Sequence, residues 1–204
     1  MLDATDLECL RGTRRLFAGL SFQVAPGECL QVQGSNGSGK TSLLRILCGL
    51  ARPEHGAVRW NGEPIDALGE SFRAELAFCG HANALKEDLT PVENLLAAAS
   101  LYGLPAAANA GARAALDALG VLQLEALPVR ALSQGQKRRV ALARLALCRH
   151  RLWLLDEPLA ALDAHAAETL ARLVDAHLAQ NGICVLTSHQ PVALRAGTRS
   201  LELS

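Results

Sequence analysis

The chain has 204 residues, half of them apolar, and its 20 basic residues balance its 20 acidic residues. This size and composition predict a soluble globular domain with a sizeable core and exclude a disordered chain. Proteins that bind nucleic acid usually carry a basic excess, so no nucleic-acid partner is expected. No apolar run approaches the roughly 20 residues that span a bilayer, and the acidic N-terminus is unlike a signal peptide, so a cytosolic chain is predicted.

The first part of the chain is predicted to be rich in strands. They are expected at residues 2–10, 20–24, 28–34 and 57–60. Pro26–Gly27 is a turn signal between the second and third strands, and Asn61–Gly62 is a tight turn after the fourth. Because the first three strands are too close in sequence for crossover connections, they are predicted to form an antiparallel patch. An apolar stripe predicts a helix from Thr41 to Leu50.

Residues 86–130 differ in character, because strand-forming residues become rare and alanine dominates. Thr90, Pro91 and Glu93 fit an N-cap, a first helical position and a capping-box glutamate. A helical subdomain is therefore predicted at 86–130, inserted into a core formed by 1–85 and 131–204.

The alternation of helices and strands resumes after this insert. The predicted elements are a helix at 134–148, a strand at 152–156, a helix at 164–180, a strand at 182–188 and an edge strand at 200–204. Alternating elements of this kind predict an α/β fold with a mainly parallel sheet. The six cysteines lie at least nineteen positions apart among apolar neighbours, which favours reduced core cysteines over metal ligands.

The stretch GSNGSGKT, from Gly34 to Thr41, lies between a predicted strand and a predicted helix. It fits the pattern G-x-x-x-x-G-K-[ST], in which glycines let backbone N–H groups point at phosphate and the helix N-terminus adds partial positive charge. Lys40 is predicted to reach the β- and γ-phosphates, and the Thr41 hydroxyl to hold Mg²⁺. The candidate nucleotide-binding residues of this phosphate loop are Gly34, Ser35, Asn36, Gly37, Ser38, Gly39, Lys40, Thr41 and Ser42.

Two adjacent carboxylates, Asp156 and Glu157, follow the apolar stretch LWLL. Asp156, at the end of the predicted strand, can hold Mg²⁺ through water as in other P-loop proteins. Glu157 is placed to polarise the water that attacks the terminal phosphate. An acidic pair at a metal site indicates hydrolysis rather than phosphoryl transfer to an alcohol. The alternative, acidic residues that only cap a strand, is weak because the pair follows the phosphate loop by the length that an α/β sheet needs.

The stretch LSQGQ contains a second helix N-terminus. Ser133 and Gln136 fit a capping box, with Gly135 in the first turn of the helix. Because the chain's own loop already binds the γ-phosphate, these three residues are predicted to meet a nucleotide held by another protomer. The basic cluster that follows, Lys137–Arg139, is predicted on the solvated face of this helix rather than in a nucleic-acid patch.

With these motifs in order, the chain resembles the ATP-binding cassette (ABC) ATPases over its whole length. LSQGQ resembles the LSGGQ signature, LAALD resembles the D-loop and ends in Asp163, and TSHQ supplies the switch histidine, His189, which would contact the γ-phosphate. The resemblance implies a P-loop NTPase core with a mainly parallel sheet, an N-terminal antiparallel β patch and an inserted α-helical subdomain. It also implies a head-to-tail homodimer that binds ATP and Mg²⁺ at its interface.

Two positions depart from the family pattern. Arg11 lies where the family usually has an aromatic residue that stacks on adenine, and a guanidinium can also stack on a base. His81 lies where most cassettes have a glutamine that contacts Mg²⁺ or the attacking water and links the core to the helical insert. The alternative for His81 is a metal or haem site shared with Cys79, which is weak because no further ligand lies nearby in sequence.

The form of the phosphate loop, Arg11 and the glycine-histidine pair before the helical insert together resemble the ATPase subfamily of bacterial cytochrome c maturation, the haem exporters. This resemblance implies integral membrane partners and a peripheral position on the cytoplasmic face of the inner (plasma) membrane. The alternatives are another small ABC exporter and a soluble ABC ATPase that acts on DNA or ribosomes. Only 93 positions separate Lys40 from Ser133, which leaves no room for the coiled coil of the DNA-repair members.

Overall fold

The computed structural model describes residues 1–101, 108–147, 150–189 and 192–203. The chain divides into two compact units. The first comprises Met1–Gly80, His150–Glu157 and Val174–Ser204, and the second comprises His81–Arg149 and Pro158–Leu173. The sequence-based assignment of 86–130 to a helical subdomain stays a prediction. In the described residues no helix combines the length and apolar character needed to cross a membrane.

The described strands all belong to the first unit, and the helices are divided between the two units. In chain order the first unit contains β1 (Leu2–Arg11), β2 (Arg14–Val24), β3 (Cys29–Gly34), α1 (Lys40–Leu47), β4 (His55–Trp60), β5 (Glu63–Pro64), α2 (Ile65–Leu68), α3 (Glu70–Ala74), β6 (Leu76–Cys79), β7 (Leu152–Leu155), β8 (Ile183–Thr187) and β9 (Arg199–Leu203). The second contains α4 (Pro91–Leu101), α5 (Ala108–Ala118), 3-10 turns at Leu122–Leu124 and Val129–Ala131, and α6 (Gln134–Leu147). Helix α7 (Ala164–Ala179) begins in the second unit and ends in the first.

The strands form one antiparallel and one parallel sheet. The antiparallel sheet has the order β2-β1-β4-β5, and the parallel sheet has the order β6-β7-β8-β3-β9. The predicted fold class, α/β with a mainly parallel sheet and an N-terminal antiparallel patch, is confirmed.

The prediction that the first three strands pair with one another is wrong for β3. This strand pairs in parallel with β8 and β9, and its first four residues are buried, as is typical of the interior of a parallel sheet. The Pro26–Gly27 turn carries the chain from one sheet to the other, so closeness in sequence does not keep the third strand in the antiparallel patch. In the antiparallel sheet, the second neighbour of β1 is β4, which pairs with β1 from Leu2 onward.

Several element boundaries also differ from the predictions. Strand β2 begins at Arg14 rather than at residue 20, because it pairs with β1 down to the turn after Arg11. Helix α1 ends at Leu47 rather than at Leu50, because Gly49 has φ of +73° and the next two amides both return to the Arg45 carbonyl. The last residues of the helix predicted at 134–148 and of the strand predicted at 200–204 lie outside the described residues.

Helix α1 is held in place by a buried apolar face. Leu43, Leu44, Ile46 and Leu47 are each 1% exposed or less and belong to one core cluster with residues of β1, β3, β7 and β8. Full burial of one such side chain contributes about 1.5–3 kcal/mol relative to exposure. Because the phosphate loop runs from the end of β3 to the start of α1, this packing fixes both ends of the loop.

In the second unit the predicted start of α4 is confirmed. The Thr90 amide donates to Glu93 Oε2 at 2.7 Å, and the Glu93 amide donates to Thr90 Oγ1 at 3.3 Å. These bonds from Thr90 hold the pKa of the Glu93 carboxyl below its ordinary value. Helix α4 begins at Pro91, as the capping pattern predicts.

The described cysteines, at positions 9, 29, 48, 79 and 184, are buried, as predicted, and none of them is in a disulfide bond. Cys148 lies outside the described residues. Cys29 and Cys184 are register partners on β3 and β8. A hydrogen bond with Cys29, together with burial, raises the pKa of the Cys184 thiol well above its ordinary value.

A half-buried histidine packs against the parallel sheet of the first unit. The His177 ring stacks on Trp153 with ring centroids 3.8 Å apart and an interplanar angle of 5°. Its Nε2 lies 3.2 Å from the Ile183 carbonyl oxygen. A Cβ at position 182 would lie 2.3 Å from the His177 ring, so only a glycine at this position leaves room for the ring. Burial lowers the pKa of His177, and it also lowers that of His150.

We expect the lowered pKa of His177 to make the protein less stable in acid. The unfolded chain, in which a histidine titrates near pH 6.5, takes up the proton first, so stability is complete above that pH and falls as the pH drops below it. His177→Phe keeps a flat ring on Trp153 and cannot be protonated. We expect it to reduce the loss of melting temperature between pH 7.5 and 5.5 by about 2–4 °C. His165→Phe, at an exposed position of α7, is the control, and an unchanged loss in His177→Phe would exclude His177 as the cause.

Candidate active site

The phosphate loop depends on backbone conformations that favour glycine. Gly34 has φ of +147° and Gly39 has φ of +105°. A Cβ at Gly34 would lie 2.6 Å from the Leu203 carbonyl oxygen, and one at Gly39 would lie 3.1 Å from side chains of Leu16 and Phe17. The loop is therefore packed against β9 on one side and β2 on the other, and neither position has room for a side chain.

Positive charge converges on this loop. Lys40 is 8% exposed, and its Nζ donates to the carbonyl oxygens of Gly34 at 2.7 Å and Ser35 at 3.1 Å. Helix α1 starts at Lys40 without a side-chain cap and without an acidic residue in its first turn. The buried hydroxyl of Ser38 makes no hydrogen bond to any described residue. A cation, an open helix N-terminus and an unsatisfied hydroxyl in one loop fit a bound phosphate group.

The predicted carboxylates lie beside this loop. Asp156 directly follows β7, is 2% exposed, and accepts a hydrogen bond from the Thr41 hydroxyl at 2.8 Å. Glu157 comes next in a left-handed conformation, with φ of +46°. Its Oε1 lies 3.4 Å from Nε2 of His189. The structure thus brings together four of the predicted site residues, from α1 and from the segments that follow β7 and β8.

The oxygen atoms of Thr41 and Asp156 suit a magnesium ion. Mg²⁺ prefers hard oxygen ligands and is usually held by one or two protein groups together with substrate phosphates and water. A hydroxyl and a carboxylate oxygen 2.8 Å apart, next to a phosphate loop, provide such a pair. These two side chains therefore form a candidate magnesium site.

One residue of this site was missed by the sequence analysis. Thr187, at the carboxyl end of β8, is fully buried, and its hydroxyl donates to Asp156 Oδ1 at 2.8 Å. The same hydroxyl accepts a hydrogen bond from the Glu157 amide at 2.8 Å. The available signal was a polar residue that ends the apolar run ICVL, two positions before His189.

In the second unit the start of α6 carries the predicted capping box. The Ser133 amide donates to Gln136 Oε1 at 2.8 Å, and the Gln136 amide donates to Ser133 Oγ at 3.3 Å. Gly135 has an additional role within the chain, because a Cβ there would lie 2.6 Å from the Ala161 carbonyl oxygen. Asp163 caps α7 by accepting a hydrogen bond from the Ala166 amide at 2.7 Å.

The prediction that the basic cluster 137–139 lies on a solvated face is wrong for Arg138. This side chain is only 4% exposed and donates to Asn83 Oδ1 at 3.3 Å. Lys137 pairs with Glu87 at 2.9 Å. Helix α6 buries several apolar residues, which leaves a narrow solvent-exposed face. Three consecutive residues point in widely different directions around a helix, so they cannot all lie on that face.

The two positions that depart from the family pattern are exposed. Arg11 ends β1 and faces Arg14 across the turn. His81 follows β6 by two residues, whereas Cys79, the last residue of that strand, is buried. The part of the chain that the structure describes contains no group of three or more His, Cys, Asp or Glu side chains suited to a metal. The roles of Arg11 and His81 stay predictions.

Comparison with known proteins agrees with this geometry. The family model described as ABC transporter matches residues 17–160. The chain is 53% identical to the cytochrome c biogenesis ATP-binding export protein CcmA of Dechloromonas aromatica (strain RCB), over 100% of both chains. It is 50% identical to the protein of the same name from Pseudomonas aeruginosa, over 96% of each chain.

Among solved structures, one described as the ATP-binding subunit of an ABC transporter superposes with a TM-score of 0.82 at 27% identity. The match covers 92% of this chain and 79% of that chain. The fold, the phosphate loop with its neighbouring carboxylates, and the family match lead to the same conclusion: the chain belongs to the ABC transporter family, as one of its ATP-hydrolysing cassettes.

Proposed function

We propose that this chain is the ATP-hydrolysing subunit of an ABC export complex that acts in cytochrome c biogenesis, where it powers the haem-handling step. The observation that carries the proposal is the 53% identity to a cytochrome c biogenesis ATP-binding export protein over the full length of both chains. The arrangement of Lys40, Asp156 and Glu157 supports it, because ATP hydrolysis needs a cation at the phosphates, a carboxylate that holds the metal and a group that activates water.

The phosphate loop binds the triphosphate of ATP. Lys40 Nζ, held by two loop carbonyls, turns toward the β- and γ-phosphates, and the first amides of α1 point at the same oxygens. Thr41 and Asp156 hold Mg²⁺, which neutralises charge on the phosphate oxygens when it is bound. Because Lys40 is already buried, little of its conformational freedom is lost when ATP arrives.

Hydrolysis uses Glu157 and His189. The Glu157 carboxylate orients a water molecule whose oxygen forms a bond to the γ-phosphorus, while the bond from that phosphorus to the bridging oxygen of ADP breaks. The Glu157 carboxylate accepts one proton of that water, and the products are ADP and inorganic phosphate. We propose that His189, whose Nε2 lies 3.4 Å from Glu157 Oε1, contacts the γ-phosphate. The contact between His189 and Glu157 also restricts the orientations that the Glu157 carboxylate can adopt.

The active unit is proposed to be a homodimer with composite sites. Ser133 is exposed at the start of α6, where the helix N-terminus can face phosphate. Ser133, Gly135 and Gln136 of one protomer would then contact the ATP held by the phosphate loop of its partner. Arg11 is proposed to stack on the base. The dimer would sit peripherally on the cytoplasmic face of the inner membrane, bound to integral membrane subunits.

Genetic complementation tests the cytochrome role. The chain and its integral membrane subunits are expressed together in a bacterium that lacks its own cytochrome c biogenesis ATPase. Cytochromes that carry covalently bound haem are then measured by haem staining. The wild type should restore them and Lys40→Ala should not. Membrane fractionation should recover the chain with the membrane only when those subunits are present. Active ATPase without any restoration of cytochromes would contradict the haem role and favour another small ABC exporter.

His81 is proposed to act as the glutamine does in most cassettes, by contacting Mg²⁺ or the attacking water and linking hydrolysis to the membrane partner. We expect His81→Gln to keep most ATPase activity. His81→Ala should bind ATP nearly normally, but its ATPase should lose its response to the membrane partner. The measurement is ATPase activity with and without the co-purified membrane subunits. A haem absorption band or a stoichiometric transition metal in the wild type, lost in His81→Gln, would contradict this role.

A further inference from the structure

The hydroxyl of Thr187 joins the two carboxylate residues of the site. It donates its one proton to Asp156 Oδ1 at 2.8 Å and accepts a hydrogen bond from the Glu157 amide at 2.8 Å. We call these two bonds the Thr187 bridge. Asp156 Oδ2 accepts from Thr41 at 2.8 Å, so both oxygens of this carboxylate are held, one by α1 and one by β8.

The strand register explains why Thr187 reaches both residues. Strands β7 and β8 run in parallel with Leu155 beside Leu186, so the next residues, Asp156 and Thr187, come side by side at the carboxyl ends of the two strands. Thr187 itself is still paired with Val32 of β3 and is fully buried. The hydroxyl is therefore fixed by the central strands of the sheet rather than by a loop.

The Glu157 backbone is the part that needs such support. Its φ of +46° is uncommon for a residue with a side chain, because the Cβ crowds the backbone in this region. The conformation turns the Glu157 carboxylate toward His189, with 3.4 Å between Oε1 and Nε2. An acceptor 2.8 Å from the Glu157 amide holds this peptide in place against rotation to a commoner conformation.

We propose that Thr187 is a positioning residue for ATP hydrolysis, whose hydroxyl sets the orientation of the Asp156 carboxylate and of the Glu157 peptide together. The inference rests on the proposed ATPase function. Threonine at the end of a strand can also serve packing alone, since β-branched residues favour strands. The two roles make opposite predictions, because the first needs the hydroxyl and the second needs the branched shape.

Substitutions of Thr187 separate hydroxyl from shape. Thr187→Val keeps the branched shape and removes both bonds of the bridge, and we expect it to lower kcat about 10- to 100-fold with KM for ATP within about twofold. Thr187→Ser keeps the hydroxyl without the methyl group and should retain most of the wild-type kcat. Thr198→Val is the matched control, since that half-buried hydroxyl donates to the Val192 carbonyl at 3.4 Å, away from the carboxylates.

A binding measurement adds a readout that does not depend on turnover. Mn²⁺ serves as the probe, and its binding in the presence of ADP is followed by electron paramagnetic resonance. We expect Thr187→Val to weaken Mn²⁺ binding several-fold, because Asp156 loses one of the groups that orient it, while affinity for ADP without metal stays unchanged. A general disturbance of the fold would lower both affinities and the melting temperature.

The outcomes are distinct. A valine variant as active as the wild type, or a serine variant as inactive as the valine variant, would overturn the proposal. If the valine variant does not fold, Ser and Ala at position 187 are compared, because they differ only in the hydroxyl, and equal kcat values would overturn it. A wild-type protein without ATPase activity would instead contradict the proposed function, so the two failures can be told apart.

Discussion

Glu157→Gln is expected to bind ATP as tightly as the wild type and to hydrolyse it at about 1% of the wild-type rate or less. The amide has nearly the shape of the carboxylate but cannot accept a proton from the attacking water, and loss of a positioned base typically costs a factor of about 100 to 10,000. The phosphate loop and Asp156 are untouched, so binding has no reason to weaken. ATPase assays and titration with a fluorescent ATP analogue measure the two properties.

Because Glu157→Gln retains its nucleotide, it should also accumulate as an ATP-bound dimer in the presence of Mg²⁺, visible by size-exclusion chromatography. Glu168→Gln is the control, because it makes the same chemical change at an exposed position of α7. Hydrolysis by Glu157→Gln at the wild-type rate would show that another group polarises the water. Equal loss of activity in Glu168→Gln would point to a general effect of the added amide.

Mixing two inactive variants is expected to restore activity if each site is shared between protomers. Lys40→Ala removes the buried cation of the phosphate loop and should weaken ATP binding about 10- to 100-fold. Ser133→Arg places a bulky side chain at the exposed start of α6, where it would clash with phosphate on the partner. A mixed dimer keeps one site with an intact loop facing an intact Ser133.

Random mixing of equal amounts makes half of the dimers mixed, with one working site each, so recovery of up to about a quarter of wild-type activity is expected. The control replaces the Ser133→Arg protomer by one that carries both changes, because its mixed dimers with Lys40→Ala contain no intact loop. The presence of mixed dimers is checked with two affinity tags. Mixed dimers without recovered activity would argue against a composite site.

Sequence reasoning worked best where the interacting residues lie close together in the chain. The capping boxes at Thr90 and Ser133 depend on side chains three positions apart, so the sequence pattern directly predicts the hydrogen bonds. The phosphate loop also depends on residues close in sequence, because Gly34 and Gly39 provide its positive φ angles and Lys40 donates to the Gly34 carbonyl. Asp156 was predicted as a metal-holding residue because it ends an apolar strand at the distance from the phosphate loop that an α/β sheet needs.

The sequence by itself thus determined the α/β class and the starts of α4 and α6, since these depend on the alternation of elements and on local spacing. It also predicted the phosphate loop and the acidic pair as a candidate site. The tertiary structure alone decided that β3 leaves the antiparallel patch to pair with β8 and β9, and that Arg138 is buried on Asn83. It also decided that Thr187 bonds Asp156 and Glu157 from 31 and 30 positions away. These contacts join segments distant in the chain, and strand register and helix packing, which local patterns do not encode, determine which side chains meet.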